Sequence, residues 1–116
     1  MRPVERPGCR HVYHLYIVRV SERDRVRERL ASVGVGTAIH YPVPVHRQPA
    51  YADGAVRAGA LPHTEQAATA ILSLPMYPTL TDDQACAVAS VLAVALDGGF
   101  DAAQDAADPG RPPGPA

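Results

Sequence analysis

Lysine is missing from the sequence altogether, because all eleven basic residues are arginine. A chain without lysine cannot form a Schiff base through a lysine side chain, which removes that class of covalent catalysis from its own residues. Cysteine is scarce. Cys9 and Cys86 are the only two, one in a segment of arm-like composition and one in a predicted helix, so reduced thiols are expected and a disulfide framework is not. Charge is nearly balanced at a formal −1, so no global basic field points to nucleic acid or to an acidic membrane surface. No apolar run approaches the roughly 18–20 residues that cross a bilayer. The start, MRPVERPGCR, lacks the apolar core of a signal peptide, and a cytoplasmic chain without nucleic-acid or membrane partners is expected.

The 116 residues allow one domain, and a composition shift near Asp97 shortens the foldable part to roughly 85 residues. A domain of that size is marginal unless something covers it. Residues 1–10 have the composition of an arm with little order. His11 to Val20 (HVYHLYIVRV) predicts a strand with Tyr13, Leu15 and Ile17 on one face and Val12, His14, Tyr16, Val18 and Val20 on the other. Ser21 then reads as an N-cap. Val26, Leu30 and Val33 make one helical stripe, the interleaved arginines and acids a solvated face, and Gly34 the stop. Val35–Tyr41 predicts a second strand, and Asp53-Gly54 a turn. Thr64 predicts the cap of a helix over Glu65–Ile71, and Leu72-Ser73-Leu74 a brief strand ended by Pro75 and Pro78. Thr81-Asp82-Asp83-Gln84 is a capping-box pattern opening the longest helix, with Ala85, Val88, Val91, Leu92 and Ala95 as its apolar side. Residues 97–116 are an Asp/Ala/Pro/Gly tail, expected to be disordered. The fold class is therefore α+β: a small, mostly antiparallel sheet with helices on one face and an unaccounted-for opposite face.

Most chemical motifs are absent. His11-x-x-His14 lies on a predicted strand, where positions three apart face opposite ways, and no carboxylate or cysteine is near in sequence, so no metal site is expected. Ser21, Thr64 and Thr81 read as helix caps rather than nucleophiles, and no phosphate-cradling glycine pattern occurs. One stretch remains, Thr37 to Tyr51, with three prolines, two histidines and two tyrosines. Proline fixes φ and holds the preceding residue extended, so this is a stiff loop. It is either a structural loop whose rings pack on the domain or a substrate-facing edge, with His40, Tyr41, His46, Arg47 and Gln48 as donors and acceptors for a hydroxyl-rich ligand.

Taken together, HVYHLYIVRV, the Arg23-Asp24 helix ending at Gly34, the segment Thr37-x-Ile39-His40-Tyr41-Pro42-x-Pro44-x-His46-x-Gln48-Pro49-Ala50-Tyr51, and Leu72-Ser73-Leu74-Pro75-Met76-Tyr77-Pro78-x-Leu80-Thr81 closely resemble one family. They resemble the C-terminal small domain of the DegT/DnrJ/StrS aminotransferases, over about residues 10–96. The resemblance implies a fold-type-I small domain spanning residues 11–96. It also implies a pyridoxal-phosphate enzyme that moves an amino group from glutamate or glutamine to a keto-sugar, usually nucleotide-linked, or to a cyclitol ketone. In that family a large domain holds the Schiff-base lysine and the cofactor. By implication this chain has no catalytic or cofactor-binding residue, and His40, Tyr41, His46 and Gln48 are carried over as substrate-binding positions. A truncated or split product is expected, inactive alone, with an aminotransferase large domain or a second copy as partner. The alternative is a non-catalytic binding or partner subunit.

Overall fold

The computed structural model describes residues 1–51 and 60–97. The Asp53-Gly54 turn and the tail beyond Asp97 lie outside the described residues. Two strands and three α-helices follow in the order β1 (Tyr16–Arg19), α1 (Arg23–Ser32), α2 (Pro62–Ala70), β2 (Ile71–Leu74) and α3 (Asp82–Asp97), with two short 3-10 turns between α1 and α2. The strands pair antiparallel with Tyr16 opposite Leu74 and Val18 opposite Leu72. This is the α+β class expected, with the sheet smaller than the sequence suggests.

The sheet is small because its flanking segments bend away. Residues 11–15 leave the predicted strand where Tyr13 takes φ 50° and its amide donates to His11 Nδ1 at 2.8 Å. A left-handed residue breaks the pleat. Val35–Tyr41 is likewise not a strand. Only Ala38 pairs, exchanging both backbone bonds with Ser73 at 2.8 and 3.1 Å. One step along that edge β2 is followed by Pro75, which has no N–H to continue the ladder. The N-terminal residues are more tied down than their composition suggests, since Arg19 N–H donates to the Met1 carbonyl at 2.8 Å on the free side of β1.

Alternation places Tyr16, Val18 and Val20 on one face with Leu72 and Leu74, as the strand parity predicts. Against this face pack Val26 and Leu30 from α1 and Val91, Leu92 and Ala95 from α3. Leu30 and Leu72 are fully buried, whereas Val33, the third member of the predicted stripe, is only half-buried. Helix α1 ends in a Schellman motif: Val35 N–H donates to Leu30 O at 2.9 Å and Gly34 N–H to Ala31 O at 3.0 Å, with Gly34 at φ 83°. Val35 thereby turns back onto the core beside Leu30.

The caps divide. Thr81 and Gln84 form the reciprocal box, with Thr81 N–H to Gln84 Oε1 at 3.0 Å and Gln84 N–H to Thr81 Oγ at 3.2 Å. Ser21 is not a cap; Glu22 holds that position at φ 49° with no side-chain capping bond. Nor is Thr64, because α2 begins earlier, with Pro62 in its first turn, where the missing N–H costs nothing. Two arginines of the expected solvated face turn inward. Arg23 Nη1 donates to Ala68 O and Ile71 O, each at 3.3 Å, and Arg29 Nη1 to Ala95 O at 2.6 Å, where α3 has unsatisfied carbonyls. They tie α1 to α2, β2 and α3.

Between β1, β2 and α3 an apolar groove of about 490 Å³ remains open, lined by Tyr16, Val18, Leu74, Met76, Leu80, Val88 and Leu92 among others. Leu30→Ala is expected to lower stability in urea by about 2–5 kcal/mol, the cost of an unfilled core site, and Val33→Ala by under about 1 kcal/mol; equal losses would contradict the packing described. Hydrophobic-dye fluorescence on the purified chain is expected at the groove and to fall in Ala89→Glu, whereas a chain that binds no dye would show the groove to be covered.

Candidate substrate-facing loop

Prolines 42, 44 and 49 keep the loop out of helix, and it settles into two consecutive 3-10 turns, Val45–Arg47 and Pro49–Tyr51. Arg47 N–H donates to Pro44 O at 2.9 Å and Tyr51 N–H to Gln48 O at 2.9 Å. Gln48 then cross-braces the loop through Nε2, which donates to the Val43 carbonyl at 3.0 Å.

The loop is held to the body of the domain by a residue that the motif pattern did not single out, Glu65. It lies in the first turn of α2, where a carboxylate complements the helix dipole. Its Oε1 accepts from His46 Nε2 at 3.0 Å and from Arg47 Nη2 at 3.0 Å. A carboxylate only accepts, so His46 carries its hydrogen on Nε2. The His46 side chain is just 8% exposed and Glu65 35%. The bond from His46, then those from Arg47, hold the Glu65 carboxyl below the ordinary 4.5. The sequence signal for Glu65 was ambiguous, since an acid in a first helical turn is explained by the dipole alone.

His40 occupies the other end. Its Nδ1 lies 2.8 Å from Ser73 Oγ in the middle of β2, and its ring meets Tyr41 edge-on with centroids 5.5 Å apart. Ser73, 4% exposed, is the one buried polar residue among the described residues. A cavity of about 350 Å³ opens beside it, bounded by His40, Ser73, Leu15, Thr37 and Met76 among others. Tyr41 points outward at 72% exposure. The four positions carried over thus divide by contact: His46 and Gln48 each spend a nitrogen bracing the loop, while Tyr41 and the far nitrogen of His40 have no partner among the described residues.

Pyridoxal phosphate does not fit the described residues. There is no lysine, and the N-terminal turns of all three helices carry acids, Asp24, Glu65, and Asp82 with Asp83, which repel a phosphate from the one backbone feature that would otherwise attract it. No group of three or more potential metal ligands occurs among the described residues, and no described helix is long and apolar enough to cross a membrane.

A model of the DegT/DnrJ/EryC1/StrS aminotransferase family matches residues 1–93. The chain belongs to this family. It is 46% identical over 86 residues to the dTDP-3-amino-3,4,6-trideoxy-alpha-D-glucose transaminase of Streptomyces venezuelae, covering 74% of this chain and 23% of the relative. It is 42% identical over 82 residues to a "pleiotropic regulatory protein" of Geobacillus stearothermophilus, covering 71% and 22%. The fold superimposes on S. venezuelae DesV, solved in complex with a ketimine intermediate, with a TM-score of 0.71 and 43% identity over 81% of this chain and 26% of that one. The chain spans about a quarter of the length of these family members.

Because the Glu65 carboxyl sits below its ordinary value in the folded state, its contribution is full above that value and is lost as pH falls through the folded pKa. Glu65→Gln is therefore expected to be less stable than wild type in urea at pH 7, with the gap narrowing as pH falls below the ordinary carboxylate range. A gap that persists in acid would show that the carboxylate charge is not what holds the loop.

Proposed function

We propose that residues 11–96 furnish the substrate-side wall of an aminotransferase that aminates a keto-sugar, most often nucleotide-linked, or a related cyclitol ketone. His40, Tyr41, His46 and Gln48 are its substrate-binding positions, and none of them is catalytic. The observation that carries this reading is the division of labour in the loop. Its bracing contacts are made by His46, Arg47, Gln48 and the Nδ1 of His40, which leaves the exposed Tyr41 hydroxyl and the far nitrogen of His40 without a hydrogen-bond partner among the described residues, on a backbone already ordered. Ordering the loop before binding lowers the entropy lost when a polar ligand arrives.

Pyridoxal phosphate and its lysine come, on this reading, from an aminotransferase large domain, in another chain or elsewhere in a longer one. The cofactor supplies the electron sink for amino transfer, and these residues bind and orient the sugar. The relative from S. venezuelae whose name specifies a dTDP-linked amino sugar supports a nucleotide-linked ligand.

The purified chain mixed with pyridoxal phosphate and borohydride is expected to acquire no reduced side-chain adduct by mass spectrometry and to transaminate nothing. Addition of a lysine-bearing large domain of the family is expected to give sugar amination that Tyr41→Ala reduces. A side-chain adduct on this chain would overturn the division of roles. Tight calorimetric binding of dTDP-glucose with no gain of activity from any large domain would favour the alternative, a non-catalytic binding subunit.

A further inference from the structure

We infer that Ser73 is the positioning residue for His40, its buried hydroxyl donating to ring Nδ1 and so presenting Nε2–H as a fixed donor to an oxygen atom of the ligand. The inference rests on the reading of His40 as a substrate-facing residue.

Two observations support it. Ser73 is buried, and a buried hydroxyl hydrogen left without an acceptor costs about 1–3 kcal/mol. Its Oγ has one hydrogen-bond partner among the described residues, His40 Nδ1 at 2.8 Å. If the ring nitrogen were the donor, the hydroxyl hydrogen would have no acceptor among the described residues, whereas donation from Ser73 satisfies both atoms at once. The hydroxyl therefore fixes the tautomer: Nδ1 bare, Nε2 protonated.

Geometry adds the second part. Ser73 cannot drift, because its own amide and carbonyl are both bonded to Ala38 and it sits opposite Ile17 in the strand pair. A donor mounted on the centre of a sheet holds its partner more sharply than one on a loop. The edge-on Tyr41 ring limits rotation from the other side, and the cavity next to His40 leaves room for a ligand group. A neutral Nε2–H left without a protein partner among the described residues selects hydroxyl, carbonyl or phosphate oxygens and rejects donors.

The test is ring nitrogen NMR on the isotope-labelled chain. In wild type, His40 is expected to show a protonated Nε2 and an Nδ1 shifted by an accepted hydrogen bond. Ser73→Ala should move Nδ1 toward the position of a free imine nitrogen, and Ser73→Thr, which keeps the hydroxyl, should restore it. Titration with dTDP-glucose should shift Nε2 in wild type, and Ser73→Ala should weaken binding about tenfold, the loss of one well-made hydrogen bond, with recovery in Ser73→Thr. A protonated Nδ1 in wild type, or an Nδ1 indifferent to Ser73→Ala in a chain that still folds, overturns the inference. A wild-type ring with the expected tautomer but no response to dTDP-glucose leaves the Ser73 bond standing and overturns the substrate-facing reading instead.

Discussion

The four residues of β2 have both edges and both faces occupied. One edge pairs with β1, the other exchanges two backbone bonds with Ala38; Leu72 faces the core and Ser73 faces His40. Leu72 and Leu30, the two large side chains fully buried among the described residues, share one core cluster. Remove that pairing and α1 and α3 have no floor to pack on. The sheet is short, but its central residues, Leu72 and Ser73, are engaged on opposite faces, and Ser73 on a second edge as well.

This economy explains where the strand expectations failed. Hydrophobicity and β-branching were correct guides to which residues lie on which face, since Tyr16, Val18 and Val20 do share the core side. They could not report that Tyr13 leaves the pleat or that Pro75 closes the second edge after one pair. The first limit is set by Tyr13's own backbone, and the second by Pro75 in the segment that Val35–Tyr41 would have paired with, a property of two segments distant in the chain. Caps were legible where two side chains had to agree, as in Thr81 and Gln84, and misleading where one polar residue stood alone, as with Ser21 and Thr64.

Arginine contributes more to packing than charge patterning suggests. Arg23 and Arg29 alternate with acids along α1 like any solvated face, yet their guanidinium groups reach backbone carbonyls of three other elements. The planar fork suits that task, since it donates in several directions without needing a carboxylate partner. The candidate loop was legible in the same partial way. Proline spacing and ring residues marked the loop, but the groups that hold it, Glu65 and Ser73, are ordinary residues of a helix and a strand until the fold brings them within 3.0 Å of the two histidines.

Glu65 and Ser73 belong to one continuous piece of chain. Helix α2 ends at Ala70 and β2 starts at Ile71 with no connecting residue, and Arg23 clamps the junction by binding carbonyls on both sides of it. The loop is therefore moored at its two histidines to a single stiff beam. Any movement of α2 together with β2 would carry His40 and His46 as one, keeping the spacing between them constant.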